Sequence, residues 1–349
     1  MFNRECVQSP IEVSLLDYKP INICVLAAIA RISASKKSFR EAMEMGKSEC
    51  REWILEVIRR GHTSVLEHAV YTFETICSRI CSHQLVRHRI ASYTQQSMRY
   101  TEGFMRKAVL SLARIVRVSV PSKPEARSDY LAYAKVAKKA LEVLTSTRVT
   151  NHNQIRATDD LDGQLLKIID ALSQAFAYNP SWTLRHVLAV THSYLQTLYD
   201  YYTLLANGVS LEDARYVLPG SIKTRIIFTM NARELLESFL PLRMCTRAQW
   251  EIRLLAWKVW EILYNVHPEI FAYVGPRCVL LDLRARDTPC TLQDYLEANC
   301  KLVIEQCPEK TPRQAIPACI KAAYYSITKQ ERFKSSTKTR RQQPCSSPT

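Results

Sequence analysis

Seven glycines in 349 residues rule out the usual ways of wrapping backbone around a phosphate. Neither G-x-G-x-x-G nor G-x-x-x-x-G-K-[ST] occurs, so the chain has neither a dinucleotide-binding turn nor a P-loop. A phosphate-bearing ligand must then be gripped by arginines, hydroxyls and helix N-termini. The charge suits such a ligand. With 48 Lys and Arg against 33 Asp and Glu, the formal net charge is +15, which attracts nucleic acid, an anionic surface or phosphorylated small molecules. Part of that excess is local: Lys329–Thr349 holds six cations and one acid in a Ser/Thr/Gln/Pro-rich tail, expected to be disordered.

A chain 47% apolar and 23% charged has the balance of a globular protein with ample length for a core. Its longest largely apolar run, Ile21–Ala30, is too short to span a bilayer. The opening Met1-Phe2-Asn3-Arg4-Glu5 lacks the apolar stretch of a signal peptide, and a cytoplasmic protein is expected. No C-x-x-C occurs among the twelve cysteines, and no histidine pair has helical zinc spacing. The thiols are therefore expected to be mostly reduced and buried, Cys245 among them, with no metal.

Periodicity predicts a strand at 11–16 ended by Pro20, a buried helix at 21–32 and a second helix at 48–60 closed by Gly61. Thr63 or Ser64 is placed to cap a new element, with Glu67 completing a capping box. Strands are expected at 70–76, 116–120 and 225–229, and a short helix at 80–88. Helices follow at 128–144, 165–178, 183–206, 211–218, 231–240 and 247–264, with a polar loop at 145–163.

The densest chemistry lies in Gln84-Leu85-Val86-Arg87-His88-Arg89, followed by Ser92, Thr94, Gln95, Ser97 and Arg99. Three adjacent cationic or titratable groups beside an apolar segment cost desolvation unless anions meet them. The hydroxyls, amides and further guanidinium after them are what a phosphate requires. A second set lies far downstream, at Arg215, Asn231-Ala232-Arg233 and Arg243. The last precedes Met244-Cys245, a context that buries it and demands an anion or carbonyl partner.

Arg87-His88-Arg89-x7-Ser97-x-Arg99-Tyr100 resembles the signature of the flavin-dependent thymidylate synthase family. Four further segments are similar to that family in order and separation: Gly61-His62-Thr63-Ser64-x-x-Glu67-His68, Asp213-Ala214-Arg215-x-x-Leu218-Pro219, Asn231-Ala232-Arg233-Glu234-Leu235 and Leu242-Arg243-x5-Gln249-Trp250-Glu251. The resemblance spans roughly 11–278 and implies an α+β fold, a mixed sheet flanked by helices. It implies a catalytic domain at 1–278, enlarged at about 101–180 by a helical insertion, and a C-terminal extension at 279–349. The implied reaction is reductive methylation of dUMP to dTMP, with methylenetetrahydrofolate and NADPH as co-substrates, bound FAD and no covalent protein nucleophile. A homotetramer with shared active sites is implied too. By the matched positions, Ser64, Glu67, Arg87, His88, Arg89, Asn231, Arg233 and Ser238 would contact FAD. Gln84, Arg87, Gln95, Ser97, Arg99 and Arg215 would hold dUMP, and Arg243 would sit against the uracil as the catalytic group.

Two departures stand out. Thr94 occupies a position where the family usually has Asn or Ser, and nine residues separate Arg233 from Arg243 where the family pattern has eight, so Glu237 or Ser238 takes a flavin-touching position. Pro289-Cys290 shares a dipeptide with the classical, unrelated thymidylate synthases, too little to assign a nucleophile. Two other readings compete with the enzyme: a degenerate nucleotide-binding member without catalysis, and a basic nucleic-acid-binding protein.

Overall fold

In the computed structural model, which describes residues 9–146 and 163–335, the chain runs β1 (Glu12–Lys19), α1 (Cys24–Ala34), α2 (Lys47–Arg60), β2 (Val70–Ser78), α3 (Arg79–Leu85), β3 (Ala91–Gln95), α4 (Gly103–Ile115), α5 (Arg127–Ser146), α6 (Gly163–Ser173), α7 (Leu184–Ala206) and β4 (Lys223–Asn231). A composite helix α8 follows, made of Ala232–Glu234, a π turn Leu235–Phe239 and Leu240–Arg243. Then come α9 (Trp250–Val266), α10 (Arg277–Arg284), α11 (Leu292–Glu297) and α12 (Ile316–Ser335). The four strands form a sheet of order β1-β2-β4-β3, giving the α+β class expected from the sequence. β2 and β4 are antiparallel, because pairing descends along one strand as it climbs the other: the Ala232 N–H meets the Ala69 carbonyl, Thr72 faces Thr229, and the Arg79 N–H meets the Ile222 carbonyl.

Described residues fall into two compact units, each drawn from distant stretches: 9–12, 76–82 and 95–226 (the described part) in the first, 13–75, 83–94 and 227–335 in the second. The first has a helical core. Met105, Ala108, Val109 and Leu112 recur at three- and four-residue intervals on α4 and are buried. An alanine stripe on α5 (Ala134, Ala137, Ala140) lets aromatic residues of α7 approach closely. Tyr133 and Tyr202 meet edge to face at 5.1 Å, and Phe176 stacks on Tyr194 at 4.3 Å. Each such ring contributes roughly 1.5–3 kcal/mol of burial.

Two expectations fail in this unit. The β-branched alternation at 116–120 is no strand: Val116 closes α4, its N–H donating to the Leu112 carbonyl, and the Val118 N–H donates to Ala113. The helix expected at 165–178 stops at Ser173, leaving Phe176 in an isolated bridge to Ile222. Most of the loop expected at 145–163 lies outside the described residues.

The second unit packs α1 and α2 with Tyr71, Phe73 and Phe228 of the sheet and Phe239 of α8 in its core. Phe73 stacks on Phe228 at 5.3 Å. α2 ends as expected at Gly61, whose φ of +74° needs a residue without a Cβ. α1 begins at Cys24 rather than Ile21, and Ile21 and Ile32 are exposed. No Ser64–Glu67 capping box forms; a 3-10 turn spans Thr63–His68 with no side-chain cap. The cysteine expectation also needs correcting: Cys24–Cys50 and Cys290–Cys300 are disulfides, and six described cysteines are free. α12 carries regular helix to Ser335, so the start of the tail expected to be disordered is helical; 336–349 lie outside the described residues. No described helix is long and apolar enough to cross a membrane.

Candidate active site

In the second unit the Arg87-His88-Arg89 turn is pinned from both sides. The His88 N–H donates to the Leu85 carbonyl, and the Tyr93 hydroxyl of β3 donates to the carbonyls of Leu85 at 2.9 Å and His88 at 2.7 Å. Burial, aided by the nearby Glu234 carboxylate, pushes the Tyr93 phenol well above its ordinary value, which keeps it a donor. With the turn fixed, His88 points inward at 5% exposure while Arg87 and Arg89 face outward.

His88 organises what lies behind the turn. Its Nδ1 sits 3.2 Å from Glu234 Oε1 and 3.1 Å from Ser238 Oγ, and its ring meets Phe239 edge to face at 5.1 Å. Arg243 Nε donates to His88 Nε2 at 3.0 Å, and Arg243 Nη2 donates to the Gln84 carbonyl at 3.3 Å. A guanidinium only donates, so Nε2 is the accepting nitrogen and the ring proton resides on Nδ1, facing Glu234. The result is a buried carboxylate–imidazole–guanidinium series that fixes the guanidinium plane of Arg243.

α8 begins with Asn231 as N-cap, its side-chain oxygen accepting the Glu234 N–H at 2.8 Å. Its π turn places Glu237 amid donors: Arg284 donates at 2.6 Å, the Thr63 hydroxyl at 2.8 Å and Arg233 at 3.3 Å. Partial burial works to raise the Glu237 carboxyl, yet these donors hold it below the usual carboxylate range. Arg233 also donates to Glu67 at 2.5 Å, and the two carboxylates raise its guanidinium. Ser64 is exposed on the preceding 3-10 turn. Ser64, Glu67, Gln84, Arg87, His88, Arg89, Asn231, Arg233, Ser238 and Arg243 all belong to the second unit; His88 touches Ser238 and Arg243, Arg243 reaches Gln84, and Arg233 pairs with Glu67.

In the first unit, Gln95 Nε2 donates to Ser82 at 3.0 Å and Thr224 at 3.2 Å. The Arg99 N–H donates to Ser97 Oγ at 3.3 Å, and the Arg99 guanidinium lies 5.4 Å from the Tyr100 ring. Arg99 and Arg215 converge on one carboxylate, Glu212, at 3.7 and 3.6 Å. Ser210 caps the short helix that carries Glu212.

Sequence reasoning missed the groups that position these residues. Glu234 holds His88 beside the expected Ser238, Glu212 joins Arg99 to Arg215, and Arg284 reaches Glu237. Glu234 lies within a quoted motif and Glu212 directly before one, which was the available signal; Arg284 had none. For a flavin dinucleotide the donor set is suitable: outward Arg87 and Arg89, with Arg233 and the Ser64 hydroxyl, supply the cations and donors a pyrophosphate needs without a glycine-rich loop.

The family model described as "Thymidylate synthase complementing protein" matches residues 14–269. The flavin-dependent thymidylate synthase of Aeropyrum pernix is 42% identical over 317 residues, covering 90% of this chain and 93% of that protein. That of Sulfolobus acidocaldarius is 34% identical over 314 residues, covering 89% and 94%. With only about a tenth of this chain outside the Aeropyrum alignment, similarity to that protein must continue into 279–349. Among solved structures, Thymidylate Synthase X from Helicobacter pylori with FAD and dUMP is 23% identical, covers 75% of this chain and 97% of its own, and superposes with a TM-score of 0.47.

Proposed function

This chain belongs to the family of flavin-dependent thymidylate synthases, and on that premise we propose that it methylates dUMP to dTMP, with methylenetetrahydrofolate as one-carbon donor, NADPH as reductant and FAD as bound cofactor. When bound, FAD would supply the reducing equivalents that take a transferred methylene group to a methyl group. Arg87, Arg89 and Arg233 would neutralise the dinucleotide phosphates, helped by Ser64, His88, Asn231 and Ser238, with Glu67 orienting Arg233. Gln84, Arg87, Gln95, Ser97, Arg99 and Arg215 would hold dUMP.

The observation that carries this reading is the seat of Arg243. Its guanidinium is fixed by His88 Nε2 and the Gln84 carbonyl, so it offers an already oriented cation to a uracil ring as negative charge develops there. One donor of that kind is worth about 10²–10³ in rate. Competing against the non-catalytic reading is the π turn at Leu235–Phe239. The resemblance implies one extra residue before Arg243, and a π turn is how a helix absorbs one without breaking.

The same premise supports further assignments: a catalytic domain at 1–278 with an extension at 279–349, a homotetramer with shared sites, and a cytoplasmic location. The test is direct. The purified chain should carry a flavin absorption band, form dTMP from dUMP and rescue a thymidine auxotroph. A colourless protein that fails to rescue would defeat the reading.

A further inference from the structure

Helix α10 lies beyond residue 269, where the family match ends, yet its last turn reaches the residues expected to hold the cofactor. Val279, Leu280 and Leu283 of α10 are buried, and the helix packs on α2 and the end of α8. Arg284 then donates from Nη2 to Glu237 Oε1 at 2.6 Å, while its Nε points at the Ile58 carbonyl, 3.5 Å away at the negative end of α2. From α2, Arg59 donates to the Arg286 carbonyl at 3.0 Å, a second tie to the end of α10. All these residues belong to the second unit. We propose that Arg284 is a positioning residue for FAD supplied by the C-terminal extension: it neutralises Glu237, so that Arg233 is available to the phosphates of the cofactor. The proposal rests on the FAD reading given above.

Of the two residues that the resemblance puts beside the flavin, Ser238 faces His88 at 3.1 Å, whereas Glu237 sits with Arg233. Arg233 is paired with two carboxylates, through Nη1 to Glu67 and through Nε to Glu237. A phosphate must compete with both for that guanidinium. Arg284 and the Thr63 hydroxyl occupy Glu237 Oε1, which leaves Arg233 only a 3.3 Å contact to Oε2. Two guanidiniums here balance two carboxylates. Without Arg284 the group would carry a net negative charge where a pyrophosphate anion is to bind. The Arg284 and Glu237 side chains are 31% and 28% exposed, so water screens the pair less than an ordinary surface ion pair.

Arg284 thus acts on the cofactor through Glu237, and its loss matters only while Glu237 keeps its charge. An Arg284 that merely held α10 to α2 through the Ile58 carbonyl would have no such dependence, which makes the two roles separable by a double-mutant cycle.

The test needs no catalytic assay. FAD affinity of the full chain is read from flavin fluorescence on titrating FAD back after its removal, and from the flavin retained per chain after gel filtration. Arg284→Ala should weaken FAD binding about 10-fold, the effect of losing a charged hydrogen bond at a partly exposed site. Glu237→Gln should bind FAD at least as tightly as the wild type, and the double variant should match Glu237→Gln. Arg284→Lys, which keeps the charge, should lose less than Arg284→Ala, and Arg277→Ala, at the exposed start of the same helix, should bind as the wild type does. If Arg284→Ala fails to fold, Arg284→Gln with and without Glu237→Gln gives the same comparison. Wild-type affinity in Arg284→Ala, or a loss that Glu237→Gln leaves in place, would overturn the role of Arg284 and leave the flavoenzyme reading standing. A wild-type chain that binds no FAD would overturn both.

Discussion

Arg243 in the second unit and the Arg99–Arg215 pair in the first are all proposed to grip the same nucleotide, yet they are held in opposite ways. Arg243 rests on His88, whose side chain is 4% exposed and backed by the Glu234 side chain at 6%. Arg99 and Arg215 are 49% and 36% exposed and share Glu212, itself 54% exposed, at ion-pair rather than hydrogen-bond distance. A buried donor series cannot re-orient without leaving a polar group unsatisfied, so it suits a group that must be in position when charge develops. An exposed ion pair is worth little and exchanges readily, so a phosphate can take the place of Glu212 at small cost. The difference separates a group set for the chemical step from groups set for capture.

Breaking the buried side should cost most. Arg243→Ala is expected to keep its flavin band while losing about 10²–10³ in kcat; wild-type turnover in that variant would remove the catalytic assignment. His88→Ala unseats the same guanidinium, and a displacement of that kind costs about 10² in kcat, with dUMP KM changing far less. An equal fall in affinity would show that His88 serves binding instead. Arg215→Ala tests the exposed side: dUMP KM should rise about 10- to 100-fold, as for loss of a charged hydrogen bond, with kcat nearly retained.

Smaller effects sharpen the contrast. Glu237 is held below the usual carboxylate range, so its contribution to stability is present above the unfolded value near pH 4.3 and is lost as pH falls through the lower, folded one. Glu237→Gln should therefore melt earlier than wild type at neutral pH by no more than about 1 kcal/mol, given its exposure. The gap should close in acid, and a gap that widens there contradicts the sign. Smallest of all, Glu212→Gln should lower dUMP KM by a few-fold at low salt, because it removes the competitor for Arg99 and Arg215. The change should fade as ionic strength rises.

Legibility followed the range of the interactions. α2 with its Gly61 stop, β2 and the helix begun by Asn231 were readable because cap and periodicity are local. The Ser64–Glu67 box was misread because Arg233, 166 positions away, holds the Glu67 carboxylate. Similarly, residues 116–120 alternate like a strand but serve to finish α4. Neither disulfide could be inferred from spacing, since each depends on which elements pack together. The signature showed Arg87, His88 and Arg89 as three neighbours of one kind. Only the fold reveals that the middle one is internal machinery and its neighbours face outward.

The π turn at Leu235–Phe239 has a geometric consequence. An extra residue in an ordinary helix swings everything beyond it by about 100°, which would turn Arg243 away from His88. The five-residue π turn therefore sets the bearing at which the far end of the helix delivers Arg243 to His88.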